Sequence, residues 1–172
     1  MRILTDQEIA ELIAEPKVVP KNWFSKLDLR DKAHFQHREK EIDFEGEKGN
    51  LFRLIIRQNK QNILDFSIIL TLREKDSNIE YTLIRFNGKH PSPHTNKWEK
   101  ENNKPNNKFS PAFHIHRATQ RYQESGYKID GYADVTPKYW DFHSAFEQFL
   151  LECNFKRDDE GQPSLFEGGG IS

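Results

Sequence analysis

The residues with the greatest capacity for chemistry are histidines, and four of the seven lie between residues 90 and 116. In "FHIHR", His114 and His116 are one residue apart, so in a strand both imidazoles share a face while the intervening side chain points to the core. His90 and His94, in "KHPSPHTN", come at the start of a polar loop that can fold back over that strand. We therefore predict a histidine cluster, with His94, His114 and His116 as the catalytic candidates.

Two kinds of chemistry suit such a cluster. Imidazole titrates near neutral pH and can serve as acid and base in phosphodiester cleavage. Imidazole nitrogens also bind divalent transition metals, with His114 and His116 as two of the ligands. Asp130 and Asp134 in "DGYAD" are either a third metal ligand or turn residues, and Asp-Gly favours the turn.

A simpler interpretation is that the histidines lie on the exposed face of an edge strand. An exposed edge near residues 113–117 would also offer a pairing site for a second copy of the chain. The spacing matches no cupin, two-histidine phosphoesterase, zincin or phosphate-loop pattern. Whether the protein is an enzyme therefore stays open.

Basic and aromatic residues around the cluster predict a local nucleic-acid contact. The candidates are Lys97, Trp98, Lys100, Arg117 and Arg121. Trp98 and Tyr122 would supply stacking surfaces for unpaired bases. A solvated loop with scattered lysines explains the same residues, and a formal net charge of −1 gives no global attraction to nucleic acid.

Composition limits the remaining possibilities. A chain of 172 residues suits one domain, and thirteen phenylalanines can supply its core. The single cysteine excludes an internal disulfide and a multi-cysteine zinc site. No apolar run approaches membrane-spanning length, and the N-terminus lacks the apolar core of a signal peptide. We predict a cytoplasmic protein without a membrane partner.

The elements that position these residues indicate an α+β fold. In "TDQEIAELIAE", Thr5 and Glu8 have the spacing of a capping box, and Asp141 is a plausible N-cap for "FHSAFEQFLLECNF". Four strands are predicted at residues 35–44, 50–58, 62–73 and 79–86. With the strand of "FHIH", they predict an antiparallel meander of about five strands packed by the N-terminal and C-terminal helices, in one domain over 1–155. The Asn- and Lys-rich segment 90–111 is predicted to be a mobile loop without a buried element.

Several short motifs resemble those of a known but uncharacterised family. Residues 80–155 contain "FNG", "HTN", "FHIH", "DGYAD" and "FEQFLLECNF" in that order. This pattern is similar to a family of small prokaryotic proteins known only as a domain of unknown function. The resemblance implies that the histidines belong to a module that the family shares. It also implies that the protein belongs to a toxin–antitoxin or mobile-element context.

The last residues, "KRDDEGQPSLFEGGGIS", have no hydrophobic periodicity, and we predict a flexible tail over 156–172. Within it, Gln162, Ser164, Leu165 and Phe166 resemble the short motif by which bacterial replication and repair proteins bind the DNA sliding clamp. Pro163 falls at a tolerant position of that motif. The resemblance implies that the sliding clamp is a partner.

These observations predict a small accessory protein of DNA replication, repair or mobile-element context that tethers to the DNA sliding clamp through its tail. One alternative is a toxin-like nuclease or metal-dependent hydrolase that uses the histidine cluster. The other is a protein-binding module without catalytic activity.

Overall fold

A seven-stranded antiparallel sheet organises the part of the chain that the structure describes. The computed structural model describes residues 1–19, 30–31 and 36–157, without the side chains of residues 30, 31 and 157. The elements in chain order are α1 (Asp6–Ala14), β1 (Lys17–Val19), β2 (Arg30–Asp31), β3 (His37–Glu45), β4 (Leu51–Asn59), β5 (Phe66–Arg73), β6 (Glu80–Asn87), β7 (His94–Thr95), α2 (Lys97–Glu101), β8 (Lys108–Phe109), β9 (His114–Arg117), α3 (Gln120–Glu124), β10 (Tyr132–Val135), α4 (Phe142–Glu152) and β11 (Phe155–Arg157).

The sheet is a meander in which the strand order is β10-β9-β6-β5-β4-β3-β2. Every neighbouring pair in it is antiparallel. The predicted α+β class and meander are confirmed. The sheet has more strands than the five predicted, because β2 and β10 extend its two ends. Both strands are too short to show an alternation of apolar and polar residues in the sequence.

The hydrophobic core lies between one sheet face and the helices. The register aligns Ile56 with Ile68, Ile68 with Phe86, and Phe86 with Ile115, so these side chains share the core face. On α4, a buried apolar stripe packs on this face, and the rings of Phe86 and Phe149 meet edge to face with centroids 5.4 Å apart. Burying each such side chain stabilises the fold by about 1.5–3 kcal/mol.

Both predicted helix caps are present. Thr5 and Glu8 form the capping box that starts α1, and the Asp141 carboxylate accepts a hydrogen bond from the Ser144 backbone N–H at 2.8 Å at the start of α4. Each satisfies backbone donors that a helix start leaves unpaired. Among the described residues, no helix is long and apolar enough to cross a membrane.

Lys17 joins the ends of these two helices. Its buried Nζ donates hydrogen bonds to the carbonyl oxygens of Leu12, Ile13 and Glu15 at the end of α1, at 3.2, 2.9 and 2.8 Å. It also donates to the carbonyl of Cys153, just after α4, at 2.8 Å. Burial lowers the pKa of Lys17 to about 8. The ammonium thus caps α1 and fixes the C-terminal helix against it.

Among the described residues, two further strand pairs lie outside the main sheet. β1 and β11 pair in parallel, which places residues 156 and 157 in a strand where the sequence predicted the start of the tail. β7 and β8 pair within the polar segment 90–111, next to α2. The prediction that this segment has no buried element was wrong, because Asn96 is 0% exposed there. Asn96 is held in place by hydrogen bonds rather than by apolar contacts, and a polar sequence gives no sign of such burial.

Candidate functional site

Two neighbouring strands form a polar ladder on the sheet face opposite the core. In β9, His114 and His116 occupy alternate positions, and in β6 Arg85 and Asn87 do the same. The register aligns Arg85 with His116 and Asn87 with His114. Because paired residues of antiparallel strands share a face, all four side chains lie together. Ile115 faces the core, as the alternation predicts.

The histidines of the ladder are buried. β9 lies between β6 and β10, so the interpretation of an exposed edge strand was wrong, as was the pairing site for a second copy near 113–117. His114 is 2% exposed and His116 is 5% exposed. The sequence does not reveal this because β10, which covers the outer side of β9, follows only after a helix and a turn.

The polar segment brings two more histidines onto the ladder, as predicted. The ring centroid of His90 lies 5.0 Å from that of His114. The His94 ring lies 5.9 Å from His114 and 4.8 Å from His116, and the two ladder histidines are 5.0 Å apart. Phe109, on β8, packs against His94 at 5.1 Å. The three catalytic candidates therefore form one cluster, which we call the histidine cluster together with His90.

Hydrogen bonds fix the tautomers of the two ladder histidines. His114 Nδ1 lies 2.6 Å from the Ala112 carbonyl and His116 Nδ1 lies 2.8 Å from the Asp130 carbonyl. A carbonyl only accepts, so both Nδ1 atoms carry the proton. The Asn87 amide nitrogen then donates to His114 Nε2 from 3.3 Å. Both nitrogens of His114 are thus engaged within the protein.

Burial keeps these imidazoles neutral at physiological pH. It lowers the pKa of His114 to about 4. It lowers that of His116 to about 2, with the positive charge of Arg85 as the next cause. Burial also lowers the pKa of His94, although a hydrogen bond to Asn96 opposes the shift. At His114 the Asn87 amide occupies the Nε2 lone pair, and catalysis by His94, His114 and His116 stays a prediction.

A metal role of His114 and His116 stays a prediction. Their Nδ1 bonds to backbone carbonyls leave Nε2 as the ligand atom, but the Asn87 amide engages Nε2 of His114, and Asp130 is 2.9 Å from the Arg85 guanidinium. Asp130 also forms a turn, as predicted, and Asp134 accepts a hydrogen bond from a neighbouring tyrosine hydroxyl at 2.9 Å. Over the ranges that the structure describes, no three His, Cys, Asp or Glu side chains are grouped to hold a metal.

Asn96 attaches the polar segment to the sheet. Its Oδ1 accepts from the Ala133 backbone N–H at 2.9 Å and lies 2.8 Å from His94 Nε2. Its Nδ2 donates to the carbonyls of Ala133 and Asn106 at 2.9 and 2.7 Å. The side chain therefore takes the place of a further strand at the outer edge of β10. The sequence contains this residue in the "HTN" motif, but its role depends on a strand 37 residues away.

The structure places four of the five predicted nucleic-acid contacts on or beside α2 and separates Arg117 from them. Arg117 lies on the core face and its Nη2 is 3.0 Å from Glu152 of α4, so it is on the opposite face from the histidines. Arg121 Nε donates to Glu99 at 3.0 Å, and its guanidinium lies over the Trp98 ring at 5.3 Å. Arg117 thus holds α4 against the sheet, and Arg121 holds α2 against α3.

The remaining members of that set lie on or beside α2. Lys97 and Lys100 are exposed on this helix. Tyr122 is 1% exposed and its hydroxyl donates to Glu99 at 2.7 Å. The prediction that Tyr122 supplies a stacking surface was therefore wrong. A role of Lys97 and Lys100 in binding nucleic acid stays a prediction.

Sequence reasoning missed Arg85 and Asn87, although a signal for them is present. In "LIRFN" and "FHIHR", polar residues recur at alternate positions in an otherwise apolar strand. Both strands therefore carry one polar and one apolar face. The register that places the polar positions side by side is visible only in the structure.

A family model described as "Family of unknown function (DUF6978)" matches residues 4–155. The chain belongs to this family. The match confirms the resemblance to an uncharacterised family that the motifs indicate over residues 80–155, and extends it to α1 and the strands before β6. No curated protein and no solved structure matches the chain. The DUF6978 region contains the whole histidine cluster, whereas the motif Gln162–Phe166 lies beyond it and outside the described residues.

Proposed function

We propose that this DUF6978 protein is a small cytoplasmic accessory protein that tethers to the DNA sliding clamp, in DNA replication, repair or mobile-element context. In this proposal, residues 1–155 form one domain and residues 156–172 form a tail. The observation that carries the proposal is the segment "QPSLF", which supplies Gln162, Ser164, Leu165 and Phe166 at the motif positions. It lies beyond the family match, among charged and glycine residues.

The chemistry of the segment suits an apolar pocket on a partner. Leu165 and Phe166 would fill adjoining pockets, and Gln162 would make hydrogen bonds at the rim. Burial of two such side chains is worth roughly 3–6 kcal/mol before the cost of ordering the segment. We expect a dissociation constant in the micromolar range, which corresponds to a binding free energy of about −8 kcal/mol. Attachment to a ring-shaped clamp with several equivalent pockets would raise the effective affinity.

Among the described residues, the hydrophobic core cluster lies between Leu4 and Cys153, and Phe155 packs against it. The apolar stripe of α4 is already buried on the sheet. The tail rather than the histidine cluster supports the proposal, because the spacing of the histidines matches no known catalytic pattern.

The test is fluorescence anisotropy of a labelled "DEGQPSLFEGG" peptide titrated with the sliding clamp of the encoding organism. We expect saturable micromolar binding that the double substitution Leu165→Ala and Phe166→Ala abolishes. A peptide with Pro163→Ala is the matched control, and it should bind like the original because this position tolerates change. Absence of binding at tens of micromolar clamp would overturn the proposal.

A further inference from the structure

Four lysines lie in the polar segment that is attached to the outer edge of β10. They are Lys97 and Lys100 on α2, Lys104 in the turn after it, and Lys108 on β8. All four are exposed. Within the described part of the chain, no carboxylate forms a salt bridge with any of them, whereas the nearby Arg121 is paired with Glu99. Their positive charges are therefore available to a partner.

The acidic residues of the same segment form bonds within the protein. Between residues 94 and 109 the sequence contains two carboxylates, those of Glu99 and Glu101. Glu99 is 5% exposed, and it accepts hydrogen bonds from the Arg121 guanidinium at 3.0 Å and the Tyr122 hydroxyl at 2.7 Å. Glu101 is exposed and accepts from the Tyr127 hydroxyl. The segment thus presents four lysines and one carboxylate to solvent, a local positive excess on a protein whose formal net charge is −1.

Backbone hydrogen bonds bring the four lysines together. Lys97 and Lys100 are three residues apart on α2, and side chains at this spacing are neighbours on one helix face, about 5–6 Å apart. The backbone N–H of Lys104 donates to the Glu99 carbonyl at 2.8 Å, which folds the turn back onto the helix. The pairing of β7 with β8 places Lys108 beside the residues that precede α2. The four lysines form one surface, which we call the lysine patch.

Two asparagines fix the lysine patch to the sheet. Asn96 directly precedes Lys97, and its side chain bonds to the backbone N–H and C=O of Ala133 on β10. Near the other end of the segment, the Asn106 amide donates to the Asp134 carboxylate on the same strand at 2.5 Å. Because these contacts already order the backbone that carries the lysines, less conformational entropy is lost when a partner binds.

We infer that the lysine patch binds the phosphate backbone of a nucleic acid. A strand of B-form DNA carries one phosphate per about 3.4 Å, so neighbouring lysines can each contact a different phosphate. The exposed amide of Asn103 can donate a further hydrogen bond to a phosphate oxygen.

The composition of the patch favours a nucleic acid over an acidic protein. A protein interface has an apolar centre, and none of the large apolar side chains that are exposed in the described residues lies between residues 94 and 109. This inference goes beyond the clamp tether and does not rest on it, since the tether is tested with a peptide that contains none of these lysines.

The experiment measures the fluorescence anisotropy of two labelled probes titrated with the full-length chain. One probe is an oligothymidylate of about 16 nucleotides, and the other is a polyglutamate of similar length. The test variants are the double substitutions Lys97→Gln with Lys100→Gln and Lys104→Gln with Lys108→Gln. Lys97→Arg with Lys100→Arg retains the charge. The matched control is Lys48→Gln with Lys75→Gln, which removes the same charge from two exposed turns of the main sheet.

We expect the oligothymidylate to bind at low salt, and each double glutamine variant to weaken that binding about tenfold or more. The slope of log affinity against log salt should become smaller by about 0.7 for each lysine removed. The arginine variant and the control should stay close to wild type. Absence of oligothymidylate binding, or equal weakening in the control, would overturn the inference. Polyglutamate binding as tight as that of the oligothymidylate would also overturn it, because the partner would then be an acidic protein.

Discussion

At the scale of single residues, His114 and His116 are buried and neutral at physiological pH, and each donates its Nδ1 proton to a backbone carbonyl. The sequence was sufficient to predict that His114 and His116 share a face, because strand alternation is a local property. It was also sufficient to predict that His90 and His94 join them. It was not sufficient to predict their burial, because burial depends on which strands flank β9.

The network makes stability depend on pH. The pKa of His114 is lowered to about 4 and that of His116 to about 2, whereas both are near 6.5 in the unfolded chain. Below pH 6.5 the unfolded chain therefore binds more protons than the folded chain. The contribution of these neutral histidines to the free energy of unfolding is fully present above pH 6.5 and is lost as the pH falls towards the folded-state pKa values. We expect a loss of about 2 kcal/mol from each histidine between pH 7 and pH 5.

Urea unfolding at these two pH values measures this effect. The variants His114→Gln and His116→Gln should each show a smaller difference in unfolding free energy between the two pH values, since each removes one titrating group. A wild-type unfolding free energy that is the same at both pH values would contradict the account of neutral, buried imidazoles.

Asn96 provides a second prediction at this scale. Replacing Asn96 by alanine leaves the backbone N–H and C=O of Ala133 without their partners. We expect a loss of about 2–4 kcal/mol in unfolding free energy, since each unpaired buried group costs about 1–3 kcal/mol. Thermal unfolding of Asn96→Ala and Asn102→Ala makes the comparison, because the Asn102 amide donates to a carbonyl of its own helix, that of Trp98, at 2.8 Å. Equal destabilisation by both variants would argue against a special role of Asn96.

At the scale of elements, the long segments with clear periodicity were predicted and the short ones were not. The strand predicted at 50–58 is β4, Leu51–Asn59, and the strand predicted at 79–86 is β6, Glu80–Asn87. β7 and β8 have two residues each, which is too short for any period. α2 lacks the apolar stripe by which a helix is recognised, and its Glu99 is buried by pairing with Arg121 instead.

Lys17 links elements from the two ends of the DUF6978 region, which gives a prediction at this scale. Lys17→Met keeps the apolar stem but removes the ammonium that bonds the carbonyls of Leu12, Ile13, Glu15 and Cys153. We expect a loss of about 2–4 kcal/mol in unfolding free energy, because hydrogen bonds to a charged donor are worth about 1.5–3 kcal/mol each and water can replace only part of them.

Chemical unfolding of Lys17→Met and of Lys75→Met tests this link. Lys75 is exposed, so its replacement should change stability by less than about 0.5 kcal/mol. If Lys17→Met is as stable as Lys75→Met, the four carbonyls do not depend on the ammonium.

At the scale of the whole molecule, our proposal joins a domain over residues 1–155 to a tail that binds the clamp. Because the proposal treats residues 156–172 as a tail, we expect deletion of residues 158–172 to leave the unfolding free energy unchanged. The same deletion should remove clamp binding. Circular dichroism on heating, run beside a clamp-binding assay, separates the two effects, and a large drop in unfolding temperature would show that the segment contributes to the fold.

The most direct test of the central claim is the binding of the full-length chain to the sliding clamp, measured by isothermal titration calorimetry. We predict micromolar affinity for the wild type, loss of binding for Leu165→Ala with Phe166→Ala, and unchanged binding for Ile171→Ala, which removes an apolar side chain from the same segment outside the motif. A wild-type chain that does not bind the clamp, or an Ile171→Ala variant that loses binding equally, would contradict the account.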